Sequence, residues 1–125
     1  MTPTVVIADD DADIRELVRI SVTRAGYDVA ADVDNGASAL DAIREFVPDL
    51  AILDVAMPAL TGVEVCREVR ARDELSGVRI LLLSAAADDT SRAIGLEAGA
   101  TDYLTKPFSP RELVAMLATT SSEQQ

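Results

Sequence analysis

Asp9, Asp10, Asp11, Asp54, Ser84 and Lys106 are the residues of this chain whose types and spacing could do chemistry together. Asp9-Asp10-Asp11 follows the apolar run Thr4-Val-Val-Ile-Ala8, and Asp54 follows Leu50-Ala-Ile-Leu53. Ser84 follows Val78-Arg-Ile-Leu-Leu-Leu83, and Lys106 follows Asp102-Tyr-Leu-Thr105. A carboxylate set directly after a buried strand is costly unless it is paired or protonated. Two or three such carboxylates repel one another and raise one another's pKa values until a counter-ion joins them. A hard divalent cation relieves that repulsion. Mg²⁺ suits the cluster better than Ca²⁺, because few protein ligands are on offer and water can complete the shell. A metal beside Asp54 and the lysine suits phosphoryl transfer, in which cation and ammonium neutralise the moving group while the carboxylate attacks in line. Ser84 could donate a hydrogen bond to a phosphoryl oxygen, although a serine at a strand end also serves as a common loop or cap residue. Asp11 has the plainer reading of N-cap to the helix whose apolar face begins at Ile14.

These residues meet only if the intervening segments bring the ends of the apolar runs together. The runs at 4–8, 28–33, 50–53, 78–83 and 102–105 read as strands, the second being the weakest. Between them lie segments of helical spacing. Ile14, Leu17, Val18, Ser21 and Ala25 share one face that ends near Gly26. Ala39, Leu40 and Ile43 share another, stopped by Pro48, and Gly62, Val65, Cys66 and Val69 a third. A fourth helix over 88–98 places Gly99 at C′. The fifth has the fullest start signal: Ser109 as N-cap, Pro110 at N1, Glu112 closing a capping box, and Phe108 with Leu113 as a hydrophobic staple.

Five repeats of strand then helix predict an α/β fold, a parallel sheet with helices on both faces. Strands that are apolar throughout fit burial from both sides. In such a sheet, ligands bind at the carboxyl ends of the strands where the strand order reverses, which is the edge these polar residues share.

Composition narrows the function classes. The 125 residues fit one domain, and the apolar fraction of 49% can build an aliphatic core. There is no histidine, which excludes Ser-His-Asp and Cys-His catalysis, and the single cysteine, Cys66, excludes an intrachain disulfide. A net charge of −11 disfavours direct binding to a nucleic-acid backbone. Lys106 is the only lysine among eleven basic residues, which singles it out. No apolar run approaches membrane-spanning length, and the start Met-Thr-Pro-Thr lacks a basic region followed by an apolar stretch. A cytoplasmic location is expected.

Taken in order, Val-Val-Ile-Ala-Asp-Asp-Asp-Ala-Asp-Ile-Arg, Leu-Asp-Val-Ala-Met-Pro-Ala-Leu-Thr-Gly, Leu-Leu-Leu-Ser-Ala and Asp-Tyr-Leu-Thr-Lys-Pro-Phe resemble the receiver domain of two-component response regulators, the CheY-like family. The resemblance spans residues 4 to about 118, leaving Thr119–Gln125 as a polar tail or the start of a linker. It implies a doubly wound, five-stranded sheet of order 2-1-3-4-5 with five helices. It implies that Asp54 accepts a phosphoryl group from a phosphohistidine of a sensor kinase or phosphotransfer protein. Asp10, Asp54 and the backbone carbonyl of Ala56 would ligate Mg²⁺, with Asp9 acting directly or through water. Lys106 would pair with the phosphoryl group, and Pro107 would follow a cis peptide bond. Ser84 and Tyr103 would form the switch that alters the surface of helix four, strand five and helix five. The domain would promote its own phosphorylation and dephosphorylation, control an output domain or partner, and could dimerise when phosphorylated.

The chain departs from the family at several positions. Ala59 and Thr61 stand where many members have Gly and Asp, which should alter the turn more than the chemistry. Small side chains at Ala56 and Ala86 suggest a poorly shielded phosphate. Helix five lacks the basic residues of receivers that dimerise ahead of a winged-helix domain, which ranks that output lower. A phosphatase of the haloacid-dehalogenase type needs an acid two residues after its nucleophile, where this chain has Ala56. A flavodoxin-like binder needs a hydroxyl- or glycine-rich first loop, where this chain has Asp-Asp-Asp. The remaining alternative is a non-phosphorylated pseudo-receiver acting as an interaction module.

Overall fold

The structure, a computed structural model, describes residues 2–123, with side chains described as far as residue 118. Its elements alternate strictly: β1 (Thr4–Ala8), α1 (Ala12–Arg24), β2 (Asp28–Val33), α2 (Gly36–Phe46), β3 (Leu50–Asp54), α3 (Gly62–Arg70), β4 (Arg79–Ser84), α4 (Asp89–Glu97), β5 (Asp102–Thr105) and α5 (Pro110–Glu123), with a 3₁₀ turn at Asp73–Leu75. The five strands are parallel in the order β2-β1-β3-β4-β5. Both the fold class and the strand order are those implied by the sequence. Residues 119–123 continue the backbone of α5, while the side chains of the polar tail at 119–125 lie outside the described residues. No helix among the described residues is long and apolar enough to cross a membrane.

Alternate side chains of the strands feed two cores. Val6, Ala8, Ala51, Leu53, Ile80 and Leu82 pack against Ala39 and Ile43 of α2 and Val65, Cys66 and Val69 of α3, with Ala98 at the end of α4. Val5, Ile7, Leu50, Ile52, Leu81 and Leu83 pack on the opposite face against Val18 and Val22 of α1 and Leu113 and Leu117 of α5. The period-two alternation of a strand assigns each residue to one face, so a strand covered on both sides must be apolar at every position. β3 meets that condition and is fully buried. β2 lies at the sheet edge, only partly buried, and its register against β1 shifts between Val5 and Val6.

The helix boundaries follow local chemistry. The Asp11 carboxylate caps α1 by accepting from the backbone N–H groups of Asp13 and Ile14, as expected. Ser109 and Glu112 form the expected capping box, with both hydrogen bonds at 3.1 Å, and Phe108 and Leu113 join the same core. Gly99 follows Ala98, the C-cap of α4, with φ +111°, a conformation open to glycine at little cost. The sequence reading missed a second capping box, Thr61 with Glu64 at the start of α3, although its Thr-x-x-Glu spacing is visible in the chain.

β3 ends in Asp54 and β4 in Ser84, as the sequence reading placed them, although the apolar runs stop at 53 and 83; β4 begins at Arg79 rather than Val78. The reason is backbone pairing: Asp54 stands opposite Leu83, Ser84 opposite Thr105, and the Val55 N–H still donates to the Leu83 carbonyl at 2.8 Å. The ladder depends on main-chain groups and continues past the point where the side chains turn polar.

α2 ends less comfortably. Val47, immediately before Pro48, adopts φ 42° and ψ 64° in the left-handed region. A β-branched residue is strained there, at roughly 1–2 kcal/mol. Val47 is 51% exposed, so little packing would be lost by replacing it. Val47→Gly should relieve the strain, partly offset by the greater entropy of glycine in the unfolded chain, for a net stabilisation of about 1 kcal/mol. Thermal unfolding of the two proteins checks this; an unchanged or lower Tm would contradict it.

Candidate functional site

The polar residues converge at the carboxyl edge of the sheet. The Asp9 N–H donates to the Val33 carbonyl and the Lys106 N–H to the Ser84 carbonyl, so the residues after β1 and β5 remain tied to the sheet. Gly62 lets the start of α3 pass against β3, because a Cβ there would overlap the carbonyl of Asp54. Gly36 does the same for α2 against the Leu60 carbonyl, and its N–H donates to the Pro58 carbonyl. The loop after Asp54 is therefore held between two helix starts. Within it Ala59 takes φ 71°, consistent with the glycine that many receivers carry at this position.

At the centre stands the ammonium of Lys106. Its Nζ lies 2.9 Å from Oδ2 of Asp9 and 3.2 Å from Oδ1 of Asp54. Asp9 is fully buried and Asp54 is 4% exposed. The other Asp9 oxygen accepts from the Asp11 N–H at 2.9 Å, and the Arg15 guanidinium donates to the Asp9 carbonyl at 2.8 Å. Arg15 also pairs with Asp32 at 2.9 Å, which fixes α1 beside the acidic loop; the sequence reading did not single it out. Asp10 is exposed at the mouth, and one oxygen from each of Asp9, Asp10 and Asp54 lies within 4.8 Å of the others. Three carboxylates against one ammonium leave two negative charges. An all-oxygen donor set with that excess is what a hard divalent cation requires, and Asp10 opens it to solvent.

The electrostatics carry the same imbalance. Burial raises the Asp54 carboxyl above its ordinary value, and the charge of Asp9 raises it further. The hydrogen bond and charge of Lys106 and the backbone N–H of Ala56 oppose this only in part. Burial alone would depress Lys106, but its hydrogen bonds to Asp9 and Asp54 and their charges outweigh burial and hold it above its ordinary value. Lys106 is therefore charged at neutral pH, and Asp54 carries unrelieved strain as an anion.

Ser84 and Tyr103 do not touch directly; Ala86 joins them. The Ala86 N–H donates to Oγ of Ser84 at 3.0 Å, and the Tyr103 hydroxyl donates to the Ala86 carbonyl at 2.7 Å. Tyr103 is buried, with its ring in the core beneath α2 to α4. The Lys106–Pro107 peptide is cis. Ala56 contributes its N–H to Asp54. Every expected site residue thus falls at or beside one sheet edge, with Tyr103 set back behind Ser84.

A stability consequence follows. A carboxyl raised in the folded state adds stability below its unfolded pKa of 3.8, and that contribution is lost as pH rises through the folded value. Asp54→Asn removes the charge while keeping an acceptor for Lys106. In metal-free buffer at pH 7 it should raise Tm, and the gain should shrink towards zero as pH approaches 3.5. Thermal unfolding against pH tests this; a lower Tm at pH 7 would contradict it.

The sequence model for the response regulator receiver domain matches residues 5–118. The chain is 44% identical over 115 residues to the DNA-binding response regulator MtrA of Mycobacterium tuberculosis, covering 92% of this chain and 49% of that protein. It thus spans about half the length of the curated relatives it matches. Among solved structures, the signal receiver domain of NarL from Mycobacterium tuberculosis superposes with a TM-score of 0.88 at 33% identity, covering 97% of each chain. The chemotaxis response regulator CheY4 of Vibrio cholerae does so with a TM-score of 0.88 at 32% identity, covering 95% of this chain and 98% of the other. The chain belongs to the response regulator receiver domain family.

Proposed function

We propose that Asp54 is a phosphoacceptor that takes its phosphoryl group from a phosphohistidine on a sensor kinase or phosphotransfer protein. The observation that carries this reading is the contact of one ammonium, Lys106, with two buried carboxylates that still leave excess negative charge beside a third. Asp54 is the carboxylate of the cluster that is both desolvated and last in a strand. A carboxylate oxygen of Asp54 attacks phosphorus, the phosphorus–nitrogen bond breaks, and the histidine keeps its electron pair and takes up a proton. Asp54 then carries an acyl phosphate.

Mg²⁺ fits the donor set. Asp10 and Asp54 would hold it, with the Ala56 carbonyl and with Asp9 directly or through water. When bound, it neutralises charge on the transferring phosphoryl oxygens. Lys106 pairs with one of those oxygens and orients the group, and Ser84 turns its hydroxyl towards another. To do so Ser84 releases or carries with it the Ala86 N–H, and the Ala86 carbonyl links that movement to Tyr103. The α4, β5 and α5 surface then changes as an acyl phosphate of roughly −1.5 to −2 charge replaces the single negative charge of the Asp54 carboxylate.

Its similarity to DNA-binding response regulators favours a DNA-binding output in a longer protein, against the lower rank that α5 alone suggested for one. This domain, at −11, is not itself the DNA-binding part. A pseudo-receiver without phosphorylation would leave the Asp9, Asp10, Asp54 and Lys106 cluster without a role.

Intact-mass measurement after incubation with acetyl phosphate and Mg²⁺ tests the reading. The wild type should gain one phosphoryl group, while Asp54→Asn should gain none, as should the wild type with chelator. No gain in the wild type, or an equal gain in Asp54→Asn, would overturn it.

A further inference from the structure

Tyr103 is held from α4 by two residues that the site itself does not use. The guanidinium carbon of Arg92 sits 5.8 Å from the centroid of the Tyr103 ring, on the solvent side. Gly95, one helical turn on, is buried against the same ring. A Cβ at Gly95 would stand 3.2 and 3.4 Å from two ring carbons and 3.0 Å from a Leu82 methyl, closer than the packing accepts without movement. On the side facing Ser84 the ring borders a recess of about 190 Å³ shared with Val55, Val63, Ala86 and Ile94. The buried ring is held by its hydroxyl bond to the Ala86 carbonyl and by its contacts on the α4 side.

We propose that Arg92 and Gly95 clamp Tyr103 in its buried position and so set how much occupancy of the Asp54 site is needed to complete the switch. Gly95 provides the room that the ring enters, and Arg92 covers it with a cation over its face. The clamp rests on the phosphoacceptor reading only for its link to Asp54; the resting position of the ring does not. An exposed cation–ring contact favours the buried ring by about two- to fivefold in population. A ligand that selects the buried ring gains apparent affinity by up to the same factor, and loses it when the clamp is removed. Arg92 and Gly95 are positioning residues, since neither is among the carboxylates and ammonium of the Asp54 site.

The test uses the whole 125-residue chain with 3-fluorotyrosine at Tyr27 and Tyr103, Tyr27→Phe serving to assign the spectrum. Fluorine NMR is recorded without ligand, then through a titration of beryllofluoride with Mg²⁺. Arg92→Ala should move the resting Tyr103 resonance towards its unfolded position. It should also raise the half-saturating beryllofluoride concentration by up to about two- to fivefold. Arg92→Lys should restore most of both effects, and Gly95→Ala should displace the ring further than Arg92→Ala does. At saturation the wild-type and Arg92→Ala resonances should lie closer together than they do without ligand. A resting resonance in Arg92→Ala identical to wild type, or a lysine that fails to restore it, would overturn the clamp. Loss of beryllofluoride binding and of phosphoryl uptake in the wild type would instead overturn the phosphoacceptor reading, leaving the resting spectrum as the measure of the clamp.

Discussion

The arrangement depends on one constraint: two buried carboxylates, Asp9 and Asp54, share a single ammonium. Each alone would be costly at the end of an apolar strand. Lys106 pairs with both but relieves Asp54 only in part, and the exposed Asp10 adds a third charge within reach. The sheet edge is stable enough to fold and remains electrically unsatisfied. That residual charge lets a cation bind there, and it makes the region responsive to a change in the charge of Asp54.

The fold supplies the constraint through backbone pairing. β1, β3, β4 and β5 end at nearly one level because their ladders continue through Asp54 and Ser84 and on to the Lys106 N–H. The apolar cores on both faces fix the strands, and the glycines at 36 and 62 let α2 and α3 close on the loop after Asp54. Arg15 ties the acidic loop to α1, and Ala86 ties the strand-end hydroxyl to the buried tyrosine. A charge change at Asp54 therefore meets rigid support on the β1 and β3 side. On the β4 and β5 side it meets a chain of two hydrogen bonds and a recess.

Much of this was legible in the sequence, for physical reasons. Strands buried on both faces cannot hide their apolar continuity, so 50–53 and the run before Ser84 stood out. Asp9 and Asp10 were conspicuous because charge directly after such a run calls for a partner, and a single lysine left little choice of one. Local helix signals such as Asp11, Ser109 with Glu112, and Gly99 also read correctly, since capping acts over three or four residues. What escaped depends on distant contacts. The start of β4 at Arg79 rather than Val78 follows from main-chain pairing that side chains do not announce. Val47 in the left-handed region, the approach of Gly36 to Leu60, Arg15 against the Asp9 carbonyl, and Arg92 over Tyr103 all need the folded chain to become visible.

The central claim is that Asp54 is an anion held under electrostatic strain that a cation relieves. Carboxyl ¹³C NMR of the aspartate side chains, titrated with pH in chelator and again with Mg²⁺, measures this directly. In chelator, Asp54 should titrate above the ordinary 3.8, and Mg²⁺ should lower its midpoint. An Asp54 midpoint at or below 3.8 in chelator, or one that Mg²⁺ leaves unmoved, would contradict the account.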